Sequence, residues 1–184
     1  MRLRAATPDD AAAVAAIYAH YVAASAVTFE LEAPSVADMR ARIEAVAGAY
    51  PWLVAEREDG GIDGYAYACP FRPRAAYRFA VETTVYLAPE ASGHGLGTAL
   101  YEPLLRLLEA QGYTQAIAAI ALPNAPSVRL HERLGFGHAG AYRNVGYKLG
   151  RWLDVGLWQR PLAPAVDVPA EPLPLEAVWR GTTL

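Results

Sequence analysis

One cysteine, Cys69, stands in the whole chain. A single thiol closes no intrachain disulfide and makes no CxxC metal pair, and it suits a reducing cytoplasm, so no metal is expected and a cytoplasmic location is. Such a thiol is either a nucleophile or a small buried residue, and buried cysteine is the commoner case. Charge of one sign is scarce too. The formal net charge of -3 provides no basic field, which argues against nucleic acid as a partner. No uninterrupted apolar run reaches the ~18 residues of a membrane span. Asp9, Asp10, His20 and two tyrosines interrupt the Ala-rich stretch over 5–27. The opening MRLRAATPDD turns acidic early and has no apolar stretch of signal-peptide type, so no signal peptide is expected. Beyond the alanine bias there is no repeat or low-complexity block.

What remains is a chain of 184 residues, 54% apolar, long enough for one domain with a real core. Met1 to Ala6 reads as a strand. Thr7 as N-cap, Pro8 at the first helical position and the acidic pair Asp9–Asp10 then start a helix to about Ala24. Ser35 caps a second helix to about Val46. A meander follows: PWLVAERE, a DGG turn, IDGYAYACPF, an Arg- and aromatic-rich connection, and AVETTVYLAP. In the last of these Val81, Thr83, Val85 and Leu87 alternate with Glu82, Thr84 and Tyr86. An amphipathic helix with Pro103 in its first turns ends at Gly112. A strand over YTQAIAAIAL, a PNAPS turn, a helix SVRLHERLG and two closing strands complete the order β-α-α-β-β-β-α-β-α-β-β. That order predicts an α/β (α+β) domain built on a mixed sheet, over residues 1–160. Residues 161–184 are Pro-rich and are expected to form an irregular extension.

The stretch PEASGHGLGT sets three glycines between a strand and a helix. A helix N-terminus offers unpaired N–H groups and partial positive charge, and glycine lets an anion approach the backbone. No Lys follows Gly97, so this is no P-loop, and its mid-chain position after a meander does not suit a dinucleotide fold. A phosphate cradle and a bare glycine-rich turn both remain open from this stretch alone. Further on, Asn124 carries an amide that can donate and accept, and Ser127 is a helix cap or a ligand contact. His131 titrates near neutral pH, as a proton donor to a thiolate must, or is simply a packed surface histidine. Glu82 interrupts an apolar strand. It is either a solvated side chain or a base that deprotonates an amine.

The glycine stretch resembles the acyl-CoA cradle of the GNAT acetyltransferase superfamily, Gln/Arg-x-x-Gly-x-Gly/Ala. Gly95 and Gly97 are in place, and Ser92 stands where Gln or Arg is usual. LHERLGF resembles the family's LYE-x-x-GF, with His131 at the tyrosine position. TFELEAP, PWLVAE, GYAYA, RPRAAYRFAVETTVY, GLGTALYEPLL, LPNAPSVRLHERLGF and VGYKLGRWLDVGLWQ occur in that order. Together they resemble the phosphinothricin/methionine sulfoximine N-acetyltransferase family over about Met1 to Arg160.

That resemblance implies acetyl-CoA as co-substrate, with the backbone of Val85, Tyr86 and Leu87 on its pantetheine arm. Gly93, His94, Gly95, Leu96, Gly97 and Thr98 would hold its pyrophosphate, and Asn124 and Ser127 its arm. It implies Glu82 as base and His131 as acid or second base, with transfer direct and Cys69 uninvolved. Phe29, Glu30, Arg74, Ala75, Ala76 and Tyr77 fall at the family's substrate-binding positions. Arg72, Arg74 and Arg78 concentrate positive charge for a carboxylate or phosphinate. The implied substrate is a small amino-acid-like amine and the implied assembly a homodimer, with Trp152 and Trp158 in the core or at the dimer contact. A protein or peptide N-acetyltransferase and a non-catalytic acyl-CoA sensor are the alternatives.

Overall fold

The computed structural model describes residues 1–179, so 180–184, the end of the expected extension, lie outside the described residues. Strands β1 (Arg2–Ala5), β2 (Trp52–Glu56), β3 (Ile62–Pro70), β4 (Ala80–Leu87), β5 (Gln115–Leu122), β6 (Gly137–Lys148) and β7 (Arg151–Pro161) form one sheet in the order β1-β2-β3-β4-β5-β7-β6. Every neighbouring pair is antiparallel except β4 and β5. Helices α1 (Ala11–Ala24) and α2 (Val36–Val46) cover one face. Helix α3 (Leu96–Gln111) covers the other, beside α4 (Ala125–Arg133) and the short α5 (Leu175–Trp179). The expected mixed-sheet α/β architecture is the one observed.

Local chemistry sets the junctions. Asp10 closes the β1–α1 turn by accepting from Thr7 N–H at 2.7 Å and from both Arg4 guanidinium nitrogens at 2.7 and 2.8 Å. Ser35 and Asp38 cap α2 reciprocally, with Ser35 Oγ accepting from Asp38 N–H at 3.1 Å. The apolar stripe of α3 puts Leu100, Leu104, Leu107 and Leu108 at zero exposure against the sheet. Each such burial contributes roughly 1.5–3 kcal/mol.

Two expectations need correcting. Pro103 lies well inside α3 rather than in its first turn, where it withholds the N–H that would bond the Ala99 carbonyl. Pro103 is buried there, among the core-facing Leu100, Leu104 and Leu107. The extension is also not wholly irregular. Leu175–Trp179 is helical, and Leu175, Val178 and Trp179 pack on the α3 core. Gln111 donates its amide to both Ala49 and Leu173 carbonyls at 2.8 and 2.9 Å, and Leu173 N–H bonds back to the Gln111 carbonyl at 2.7 Å. Removing the chain from residue 170 onward exposes that apolar surface and strips a buried amide of a partner. The expected cost is roughly 2–4 kcal/mol, read as a lower denaturation midpoint with acetyl-CoA affinity kept.

Candidate active site

The one parallel pair makes the site. The β4–β5 ladder joins Ala80 to Gln115, Val81 to Ala116 and Glu82 to Ile117, and then stops. Beyond it the strands part. Antiparallel pairing of β4 with β3 continues to Leu87, so only the edge facing β5 is left without a strand partner. A cleft of about 600 Å³ opens there, lined by Thr83 to Leu87, by Ala118 to Ala121, by the glycine loop and by α4. An unpaired strand edge takes an extended arm as an added strand.

At the head of the cleft α3 begins. Its first intrahelical bond runs from Ala99 N–H to the Gly95 carbonyl at 3.1 Å, so Leu96, Gly97 and Thr98 present their amides outward. That end suits a phosphate. Gly93 and Gly95 have φ of +85° and +83°, which L side chains rarely adopt. Gly97 has a different reason: a Cβ there would lie 3.0 Å from Leu130 of α4. Gly93, Gly95, Gly97 and Thr98 line the cleft, whereas His94 and Leu96 border a shallow groove beside Met1 and Asp63, with Leu96 itself buried in the core. Ser92 also lines the cleft, with its hydroxyl on the Ala88 carbonyl at 3.4 Å.

Ser127 does not cap α4. Asn124 does, its side-chain oxygen accepting from Ser127 N–H at 3.2 Å, because the helix starts at Ala125 with Pro126 in its first turn. The cap consumes the Asn124 oxygen and leaves its NH₂ to donate to a ligand. His131 is not a surface histidine. It is 3% exposed, with Nδ1 2.8 Å from the Ser127 carbonyl, Nε2 2.9 Å from the Tyr101 hydroxyl, and Phe136 edge-on to its ring. Burial holds its pKa below the usual histidine range, and the bond to the Ser127 carbonyl opposes this in part. Tyr101 and Thr83 line the same end of the cleft and escaped the sequence reading. Tyr101 reads as one more apolar position of an amphipathic helix, and only the folded chain shows where its hydroxyl goes.

Glu82 and His131 lie on opposite sides of β4. Thr83 turns to Tyr101 of α3, while Tyr86, in phase with Glu82, meets Tyr18 and Tyr21 of α1. Glu82 pairs in register with Cys69. Burial raises the Glu82 pKa above the ordinary carboxylate range and the nearby Arg72 opposes the rise. Burial and Glu82 push the Cys69 thiol up to about 11, which leaves it protonated and a poor nucleophile. Because the sheet is split beyond Glu82, a group bound in the cleft can be met from either face.

The arginine loop borders the Glu82 face. Arg72 donates to the Tyr142 hydroxyl at 3.2 Å and lies over Phe71, while Arg74 is exposed. Ala75, Ala76 and Tyr77 form a single 3-10 turn, with Tyr77 edge-on to Phe71. Arg78 departs from expectation, since it is bonded to Glu171 of the tail at 2.9 Å. Phe29 packs on Gly146 of β6, where a Cβ would overlap its ring. Glu30 is already paired with Arg42 at 2.7 Å and accepts from Tyr18. Lys148 Nζ ties the same loop down through the Thr28 carbonyl at 2.9 Å.

Among the described residues no helix is long and apolar enough to cross a membrane, and no group of His, Cys, Asp and Glu is placed to hold a metal.

Comparison with known proteins agrees with this geometry. The profile of the Acetyltransferase (GNAT) domain family matches residues 3–157. The phosphinothricin N-acetyltransferase of Streptomyces viridochromogenes is 45% identical over 178 residues, covering 97% of this chain and 94% of that one. With 97% of the chain aligned, that similarity extends past Arg160, so the C-terminal extension does not set this chain apart from that relative. The L-methionine sulfoximine/L-methionine sulfone acetyltransferase of Salmonella typhimurium is 37% identical over 164 residues, covering 88% and 95%. The crystal structure of a GNAT superfamily phosphinothricin acetyltransferase from Sinorhizobium meliloti in complex with AcCoA superposes with a TM-score of 0.88 at 42% identity, covering 92% and 93%. A split β4–β5 pair, a glycine-led helix N-terminus and this set of relatives together place the chain in the GNAT acetyltransferase domain family, as an acetyl-CoA-dependent N-acetyltransferase.

Proposed function

We propose that the chain transfers the acetyl group of acetyl-CoA directly to the α-amine of a small amino-acid-like substrate of the phosphinothricin, methionine sulfoximine or methionine sulfone type. The observation that carries this reading is the split in the sheet, with an anion-ready cleft on one face and Glu82, with the arginine loop, on the other. The outward amides of Leu96 to Thr98, with Gly93 and Gly95, would take the pyrophosphate. The edge of Val85, Tyr86 and Leu87 would pair with the pantetheine arm, and the Asn124 NH₂ would bond it. His94 and Leu96 enter this proposal through their backbone alone.

Glu82 accepts the proton of the substrate ammonium, since only a neutral amine attacks the thioester. Backbone N–H groups on the open β4 edge polarise the acetyl carbonyl. Arg72 and Arg74 bind the substrate carboxylate or tetrahedral side-chain group, with Ala75, Ala76, Tyr77, Phe29 and Glu30 shaping the entrance. Arg78 is left out because Glu171 holds it.

A homodimer in the cytoplasm is part of the proposal. Tyr142, Val145, Tyr147, Leu149 and Trp152 are 46% to 62% exposed on the β6–β7 hairpin, an apolar cluster of the kind that marks an interface. Trp158 is in the core, 5% exposed.

The test is thiol release from acetyl-CoA with phosphinothricin, methionine sulfoximine, methionine sulfone, ordinary amino acids, polyamines and a peptide. Turnover confined to the sulfoximine-like group is expected. Turnover on peptide alone would mean a protein acetyltransferase, and tight acetyl-CoA binding without any turnover would mean a sensor.

A further inference from the structure

Four contacts run through buried groups at the inner end of the cleft. The His131 Nδ1 lies 2.8 Å from the Ser127 carbonyl, and Nε2 lies 2.9 Å from the Tyr101 hydroxyl. The Tyr101 hydroxyl is 3.2 Å from Thr83 Oγ1, which is 3.3 Å from the Ile117 carbonyl. Tyr101 is fully buried, Thr83 and His131 are 3% exposed, and all three line the cleft.

The protons can be counted. A carbonyl only accepts, so Nδ1 carries a proton toward Ser127. In neutral His131 the Nε2 lone pair then accepts the Tyr101 proton. Thr83 supplies one more. Three protons serve four contacts, and one added at Nε2 fills them all. The network is therefore built one proton short, with its acceptor end at Nε2, and the Tyr101 hydroxyl stands between that end and Thr83.

We infer that Tyr101 is a proton relay between the reacting atoms and His131, so that His131 works only through the Tyr101 hydroxyl. This rests on the acetyltransfer chemistry proposed above. Attack forms the N–C bond, and the nitrogen of the tetrahedral adduct gives a proton to the Tyr101 oxygen as the Tyr101 O–H proton passes to Nε2. When the C–S bond breaks, the electron pair stays on sulfur. The path then reverses: Nε2–H returns a proton to Tyr101, and Tyr101 gives one to the thiolate. Amine and thioester become amide and thiol, and the relay ends as it began. Glu82 handles only the earlier proton of the ammonium.

The groups facing His131 fit this role. Tyr101 from α3 is the titratable side chain bonded to it, Phe136 covers its ring, and its own helix contributes the Ser127 carbonyl and hydroxyl. No carboxylate or cation pairs with its ring among the described residues, and Glu82 acts on Tyr101 from the neighbouring position of β4. Neutral His131, the accepting form, is the one that burial favours.

The experiment is kcat and KM for Tyr101→Phe, His131→Gln and the double variant, across pH, with the unaltered protein alongside. Tyr101→Phe is expected to lower kcat about 10²-fold with KM for acetyl-CoA within twofold. The double variant is expected to be no slower than the slower single one, and the step in kcat set by His131 to vanish from the Tyr101→Phe profile. A merely structural Tyr101 would keep that step. Losses that multiply, or a Tyr101→Phe kcat within twofold of the parent, would overturn the relay. Should Tyr101→Phe fail to fold, single turnover of the unaltered protein in mixtures of H₂O and D₂O decides. A bowed plot of rate against deuterium fraction shows several protons in motion, and a straight line overturns the relay. A parent with no turnover on any amine would instead fault the proposed function.

Discussion

Glu82→Gln is expected to lower kcat by about 10²–10⁴-fold, which is about 3–5 kcal/mol of transition-state stabilisation, while leaving the dissociation constant of acetyl-CoA within about twofold. The two readouts separate because Glu82 is not among the residues lining the cleft, so the isosteric change removes the proposed base without touching the proposed cofactor contacts. The pH profile of the unaltered protein supplies the matching sign. Burial raises the Glu82 pKa and Arg72 opposes that rise. The base is therefore lost as pH falls through a value above the usual carboxylate range, and the acid limb of kcat/KM should lie there. Arg72→Gln removes the opposing charge and should move that limb to higher pH. Isothermal titration with acetyl-CoA and a pH series of thiol release check both points. Full activity in Glu82→Gln would remove Glu82 from the chemistry.

Asp10→Ala is expected to cost about 3 kcal/mol of folding stability. Asp10 bonds Arg4 twice and Thr7 once through the backbone, with side-chain exposures of 9% for Asp10 and 23% for Arg4. Breaking a well-buried pair costs roughly 3–5 kcal/mol and losing a helix cap about 1. The solvent that reaches Arg4, and its remaining bond to Glu56 at 2.9 Å, reduce the sum. The melting temperature should fall by about 6–12 °C.

The pH dependence of that loss has a definite sign. Burial raises the Asp10 pKa, but the bonds from Arg4 and Thr7 outweigh it and the net shift is downward from 3.8. A depressed carboxylate stabilises the fold above its unfolded pKa and stops doing so as pH falls through the folded value. The gap between Asp10→Ala and the parent should thus be constant near neutrality and narrow below about pH 4. Denaturation midpoints from pH 3 to 8 check this, and a gap independent of pH would mean that Asp10 acts through packing.

Much of this was legible in local patterns. Strict alternation over Ala80 to Leu87, the Ser35 cap, the turn at Gly112 and the glycine run ahead of α3 all rest on short-range backbone physics, which acts between residues close in the chain. The candidate Glu82 was legible for the same reason, as a charge in an apolar strand. The docking of the tail was not, because Gln111, Ala49 and Leu173 meet only across the fold. Arg78 read as a substrate contact because its partner, Glu171, is far along the chain.

The sequence by itself determined the element order through about Arg160, the glycine-led start of α3 and the residues put forward as candidates for proton transfer, since each follows from neighbours within a few positions. Tertiary structure alone decided that β4 and β5 pair for three residues and then part. It decided that Glu82 and His131 take opposite sides of β4, and that the Tyr101 hydroxyl meets His131 Nε2. Those outcomes depend on register and on packing between distant segments, where shape and burial, not local propensity, choose the partner.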